Sequence, residues 1–227
     1  MPDVKLIHGD CLDVMRGMED NSVDAVICDP PYGLMSESGK VQMRGAIVNQ
    51  DYGDWDKSLD YDWINYLPAS KSAVIFHDQK QSTNLSNIAS ESGWNLKRFI
   101  FWDKGDSGIN PRRNFVNCVE VAAFFVKKNY TWNGGGATRN IFRFNRRPTP
   151  FHPTQKPVSL MAWIILTITN PGDTILDPFM GSGSTAEACI ITRRAFIGID
   201  NDERYFAIAQ KRIKDALQQP NLFHGGG

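Results

Sequence analysis

Residues 174–190 read TILDPFMGSGSTAEACI, and the fold turns on how they are understood. A short apolar, β-branched run ends in an acid, Asp177. A loop carrying Gly181 and Gly183 follows, and a helical pattern opens at Ser184. The spacing Gly181-x-Gly183-x-x-Ala186 lets the backbone turn tightly and come close to a ligand. The next strand, AFIGID (195–200), ends in Asp200, where an acid can take both hydroxyls of a ribose. Taken alone, this pattern suits any nucleoside cofactor, dinucleotides included.

Outward from that stretch, strand and helix patterns alternate. Strands are predicted at 4–8, 23–28, 73–77, 97–102, 119–126, 173–177 and 195–199. Helical patterns fall at 11–18, 61–68, 80–92, 156–169, 184–193 and 202–218. Such alternation implies βαβ units, and so an α/β fold: a doubly wound, mostly parallel, seven-stranded sheet with helices on both faces. Residues 33–60 show no sustained period and read as one long loop, of the kind used for binding or closure. NGGGATRN (133–140) reads as a flexible arm.

The 227 residues, 41% hydrophobic and 22% charged, suit one domain with a substantial core. The longest apolar run, LMAWIILTI (160–168), is short of the ~20 residues a membrane span needs. The N-terminus has no secretory pattern. Cys11, Cys28, Cys118 and Cys189 are scattered, with no C-x-x-C pair, which points to reduced thiols in the cytoplasm and to no metal site.

Net charge is zero, but its distribution is uneven. Residues 97–156 carry 12 Lys+Arg against 3 Asp+Glu, leaving 13 against 22 for the rest of the chain. That asymmetry is the footprint of a polyanion binder. Its densest part, TRNIFRFNRRPTPFH (138–152), interleaves Arg139, Arg143, Arg146 and Arg147 with Phe142, Phe144 and Phe151. Arginines can pair with phosphates while aromatic rings stack on bases. The alternative is a solvated basic loop whose aromatic rings belong to the core.

Another stretch, CDPPYG (28–33), follows the apolar run VDAVI. Consecutive prolines cannot continue a central strand, so the chain turns out and displays an acid and a ring on a stiff support. DPPY (29–32) and DPFMGSGST (177–185) together resemble the signatures of S-adenosylmethionine-dependent DNA amino-methyltransferases. HPTQKP (152–157) and IHGDCLDVM (7–15) resemble further blocks of that family. The target-base motif precedes the cofactor loop, as in the family's β-group, whose motif order is a circular permutation. The resemblance implies a Rossmann-like methyltransferase sheet, spanning 1–227 as a single domain. It would carry a small basic target-recognition insertion at about 127–151 and a catalytic loop at about 33–60.

The resemblance also implies roles. Asp29 and the Pro30 carbonyl would each accept a hydrogen of the target amine, with Pro31 stiffening the turn and Tyr32 stacking on the flipped base. Asp177 and Phe179 would lie near the cofactor's methionine portion, and Asp200 at its ribose. Asp10 would lie at the adenine, a plain turn residue being the alternative. Lys156 and Thr154 would lead into the helix beside the methionine carboxylate, and Gly181, Ser182, Gly183, Ser184 and Thr185 form the cofactor loop. Arg139, Arg143, Arg146 and Arg147 would meet DNA. His152 reads as structural or as a phosphate contact, and Trp55 and Asp56 also resemble the family.

The expected activity is methylation of adenine N6 in double-stranded DNA, with cytosine N4 as the alternative. Cytosine C5 chemistry is excluded, because no Pro-Cys pair supplies the thiolate it needs. A dinucleotide-dependent oxidoreductase would want a substrate domain beyond the glycine loop, where only residues 201–227 remain. A non-catalytic DNA-binding module would not need Asp29 or Gly183, and an RNA substrate stays open. The basic segment is short for a target-recognition domain, unless a homodimer shares that task.

Overall fold

The structure, a computed structural model, describes residues 2–32, 40–43, 46–49, 61–105, 115, 117–136, 138–144 and 155–218. In chain order its elements are β1 (Val4–His8), α1 (Cys11–Arg16), β2 (Val23–Cys28), β3 (Lys40–Met43) and β4 (Ala46–Asn49). Then come β5 (Ala69–His77), α2 (Ser82–Glu91), β6 (Asn95–Asp103), β7 (Val119–Val126) and β8 (Ile141–Arg143). The chain ends with α3 (Val158–Ile168), β9 (Thr174–Asp177), α4 (Ser184–Thr192), β10 (Ala195–Asp200) and α5 (Glu203–Gln218).

Eight strands form one sheet in the order β1-β10-β9-β2-β5-β7-β6-β8. Its strands run parallel except β7, which is antiparallel to both β5 and β6. All seven expected strands are present, and β8 is added at the edge beside β6. With three residues, β8 is too short to show a period, so its sequence read as part of a flexible basic arm. Within 33–60, the described residues correct the reading of one long loop: β3 and β4 pair antiparallel, Lys40 opposite Asn49 and Met43 opposite Ala46. Four-residue strands again fall below what alternation can reveal.

The core follows the period-2 rule of strands. Along β2, Ala25 and Ile27 face one layer while Val26 and Cys28 face the other. The first layer holds α3, α4 and buried residues of α5; the second holds α1, α2 and the turn Tyr61–Tyr66. Helices on both faces explain why consecutive residues are buried along β2, at Ala25, Val26, Ile27 and Cys28, and along β9, at Ile175 and Leu176. The α3 sequence VSLMAWIILTI buries Leu160, Met161, Ile164, Ile165 and Ile168, as expected of a helix apolar nearly all round. The pattern at 61–68 forms a 3-10 helix over Tyr61–Tyr66 instead of an α-helix, and Pro68 lies just beyond it.

β5 begins at Ala69, earlier than its apolar run, because its polar start is satisfied across strands. Lys71 pairs with Asp24 at 2.8 Å and Asp173 at 3.1 Å. The chain leaves β2 for β5 on one side and β9 for β10 on the other. Strand order therefore reverses between β2 and β9, whose Val26 and Leu176 lie in register. In open α/β sheets the ligand crevice lies outside the carboxyl ends of the strands at such a point. Asp29, Asp177 and Asp200 all stand at those ends.

Candidate active site

Asp29 follows the last residue of β2, where Pro30 and Pro31 remove two ladder donors. The Tyr32 hydroxyl donates to Asp29 Oδ1 at 2.6 Å. Gln81 Nε2 donates to the Tyr32 carbonyl at 2.7 Å, and Tyr61 donates to Gln81 Oε1 at 2.7 Å. The turn is thus held from its far side. On the near side, the Lys156 ammonium donates to Asp29 Oδ2 and pairs with Glu120 Oε2 at 3.0 Å. Glu120 Oε1 in turn meets Lys104 at 3.3 Å. Lys156 is buried, with its Nζ 4.9 Å from the centre of the Phe76 ring.

Burial pushes the Asp29 carboxyl above its ordinary value, and the Lys156 charge opposes that rise. Burial works against the Lys156 ammonium, but Asp29 and Glu120 outweigh it and raise its pKa. Glu120 is raised by burial and lowered more by Lys156 and Lys104, so it stays below the usual carboxylate range. Tyr32 rises through burial and the neighbouring Asp29 charge. A buried ammonium is tolerated only with such partners.

The second half of the crevice is the glycine loop. Asp177 is buried, with Oδ2 accepting from the Thr185 hydroxyl at 2.6 Å and Oδ1 from the Phe179 amide at 3.1 Å. Burial lifts its carboxyl to about 7. Phe179 meets Trp63 edge-on, with ring centres 5.1 Å apart. Gly183 starts α4 at φ 84°, where a Cβ would be strained and lie 3.4 Å from Ala209. Asp200 accepts from the Gly181 amide at 2.8 Å and the Asp202 amide at 2.9 Å, and burial raises its carboxyl. Ser182 reaches Gln155 at 3.4 Å, its carbonyl accepts from Arg212 at 3.1 Å, and Ser184 is buried in the first turn of α4.

The structure brings Asp29, Pro30, Pro31, Tyr32, Asp177, Phe179, Gly181, Ser182, Gly183, Ser184, Thr185 and Asp200 to the carboxyl ends of neighbouring strands. The resemblance puts Lys156 in the block leading into the helix beside the cofactor's carboxylate, and its ammonium engages the acids Asp29 and Glu120. Asp10 caps α1, accepting from the Leu12 and Asp13 amides, which is the turn-type alternative.

In the basic segment, Phe142 meets Trp163 with ring centres 3.8 Å apart, and Phe144 packs on the core while its carbonyl accepts from Trp102. Both rings are half-buried and have partners within the fold. Arg139 is exposed; Arg143 is exposed but bonded to Asp103 at 2.7 Å and 2.9 Å. Arg146, Arg147, Phe151, His152, Thr154, Trp55 and Asp56 lie outside the described residues.

Sequence reasoning missed Glu120, Gln81 and Arg212. Glu120 had a signal, being the one acid in the apolar strand VEVAAFFV. Gln81 and Arg212 had none, since each acts through backbone carbonyls brought near only by folding.

A doubly wound sheet with a half-buried acid on a Pro-Pro turn, facing a glycine loop across the switch point, defines a transferase that takes a nucleoside cofactor. Residues 23–211 match the DNA methylase family, and the chain belongs to it. It is 27% identical to the DNA adenine methyltransferase YhdJ of Escherichia coli, over 92% of this chain and 82% of that protein. It is 30% identical to the type II methyltransferase M2.LlaDCHI of Lactococcus lactis subsp. cremoris, over 92% of this chain and 88% of that one. The crystal structure of the M1.HpyAVI-SAM complex superposes with a TM-score of 0.72 at 30% identity, covering 92% of this chain and 99% of that chain.

Proposed function

We propose that this DNA methylase transfers a methyl group from S-adenosylmethionine to the N6 amine of an adenine flipped out of double-stranded DNA. One observation carries the reading. A half-buried acid on a rigid turn at the end of β2 stands beside the glycine loop and Asp177 at the end of β9. The adenine preference is supported by Asp at the first position of DPPY and by the adenine methyltransferase among the relatives.

The residues present suit the cofactor. At Gly181 an added Cβ would meet nothing within 4 Å, so backbone there is open to a ligand. Buried Asp177 and half-buried Asp200 have raised pKa values, and suit a cation and ribose hydroxyls. When bound, S-adenosylmethionine supplies a methyl on a sulfonium, and the thioether leaves with the C–S electron pair.

The chain's own part is to prepare the amine. An ionised carboxylate has about four lone-pair sites. Tyr32 and Lys156 take one on each Asp29 oxygen, which leaves acceptor capacity on both. Asp29 holds one amine hydrogen and the Pro30 carbonyl the other, so the nitrogen lone pair is freed from the ring and aimed at the methyl. As the N–C bond forms, the nitrogen's surplus proton passes to Asp29 and on to water. Tyr32, released from Asp29, stacks on the base and offsets part of the unstacking cost of a few kcal/mol. Cytosine N4 carries the same kind of amine, and the same acceptors would serve it.

Among the described residues, no helix is long and apolar enough to cross a membrane. We place the protein in the cytoplasm, as one domain whose short basic segment shares target recognition across a homodimer. The test is Asp29→Ala. Methyl transfer should be lost while S-adenosylmethionine still binds, and near-wild-type turnover would refute the reading. Sequencing DNA from a methylation-deficient host expressing the wild type would show which base is modified.

A further inference from the structure

We propose that Lys156 and Glu120 are positioning residues for Asp29. Lys156 holds the acceptor in place, and Glu120, anchored by Lys104, fixes Lys156. This rests on the reading of Asp29 as acceptor of the target amine. The geometry is a chain of alternating charges, Lys104–Glu120–Lys156–Asp29, ending on the Tyr32 hydroxyl. It joins four separate parts of the fold: the end of β6, the start of β7, the residues before α3 and the turn after β2. Asp29 and Lys156 are 127 positions apart in sequence. The two oxygens of Glu120 are divided between the two lysines, and Lys156 is only 6% exposed.

The physical reason is the conflict at Asp29. A carboxylate that must accept a hydrogen bond from a neutral amine works best ionised, yet burial favours its protonated form. A fixed ammonium on Oδ2 offsets part of that burial penalty and leaves Oδ1 towards Tyr32. An ammonium held by one carboxylate on a flexible four-carbon stem would wander. Glu120 supplies a second anchor from a rigid strand, and packing over Phe76 restricts the stem further. Other groups near Asp29 are Tyr32 on its own turn, Cys28 on β2 and Asp177 on β9, the last two electrostatically coupled to it. His77, at the end of neighbouring β5, bonds to Ser82 and the Ile75 carbonyl, and burial lowers its pKa.

The two partners act on Asp29 with opposite sign. The Lys156 charge lowers its pKa and the Glu120 charge raises it. The experiment is the pH profile of single-turnover methyl transfer, with S-adenosylmethionine affinity measured alongside. In Lys156→Met the acid limb should move up by about 1–3 pH units, the range expected for an opposite charge at contact. In Glu120→Gln, which keeps the shape, the lost charge should move the limb down, and the loosened ammonium should lower the rate on the plateau above it, where Asp29 is already ionised. Cofactor affinity should stay within about twofold in both.

A limb that stays put in Glu120→Gln overturns the inference, and this variant carries the test if Lys156→Met fails to fold. Weakened S-adenosylmethionine binding in Lys156→Met, with no change in its profile, would make Lys156 a cofactor ligand and likewise overturn it. Neither result would disturb the role of Asp29 itself, which fails only if Asp29→Ala remains active.

Discussion

The Asp200 carboxylate accepts from the Gly181 amide at 2.8 Å, so the acid ending β10 clamps the glycine loop. Its other oxygen holds the Asp202 amide at 2.9 Å, ahead of α5. A single acid thus shapes the loop and, in the proposed reading, also meets the ribose. Replacing it should damage both functions. Each hydrogen bond to a charged group contributes about 1.5–3 kcal/mol.

Asp200→Ala should lower the melting temperature of the cofactor-free protein by several degrees and weaken S-adenosylmethionine by at least tenfold. Calorimetric titration beside a thermal melt separates the two effects. Unchanged cofactor affinity would remove Asp200 from the binding site and leave it a loop clamp.

In the proposed reading, Asp177 should link cofactor binding to pH. Its carboxyl is lifted to about 7 by burial, with the Asp29 and Asp200 charges adding to the rise. Because the folded-state pKa exceeds the unfolded value, its stabilising contribution is full below ~4 and is lost as pH rises through about 7. A cationic ligand favours the ionised form, so binding should release a proton on the acid side of that pKa. S-adenosylmethionine affinity should therefore fall as pH drops below about 7, by up to about tenfold per unit. The melting-temperature gain from the cofactor should be larger at pH 8 than at pH 6. A flat profile would contradict this coupling.

Gly198 in β10 is an absence that Met180 fills. A Cβ there would lie 2.5 Å from Met180 Sδ and 2.6 Å from the Phe196 ring. Met180 also ties the glycine loop to β10, its amide donating to the Ile199 carbonyl at 3.0 Å. Gly198→Ala should destabilise the protein by about 1–3 kcal/mol, as overpacked cores do. Shortening Met180 to Ala in the same chain should recover part of that loss, and denaturant melts of the single and double variants measure it.

Arg139 and Arg143 should contribute unequally to DNA binding. Arg139 is exposed, whereas the Arg143 guanidinium is already held by Asp103. If Arg139 meets a phosphate, Arg139→Ala should reduce the salt slope of DNA affinity by about one unit. Arg143→Ala should change it less, because Asp103 already neutralises the charge. Equal effects would show that the ion pair opens on DNA.

Local signals account for what could be read early. The double proline after VDAVI, the glycines after TILD and the acid ending AFIGID constrain backbone within a few residues of themselves. Asp29, the loop at Gly181 and Gly183, and Asp200 were therefore legible. Strand lengths were legible where runs were apolar and less so at β5, whose polar start depends on Lys71 meeting Asp24 and Asp173. The three-residue β8 and the β3–β4 hairpin were not legible, being too short to carry a period.

The sequence by itself determined the strand–helix alternation, the permuted order of the motifs and the identity of the acid and the loop. Each of these is written in neighbouring residues, through backbone stereochemistry and the period of apolar side chains. Tertiary structure alone decided that Lys156 faces Asp29 and Glu120, that Phe142 meets Trp163 and that Phe144 packs on the core. Desolvation and charge pairing depend on which strands become neighbours. β7 enters the sheet between β5 and β6 and carries Glu120 to an ammonium far away in sequence, a placement no local pattern encodes.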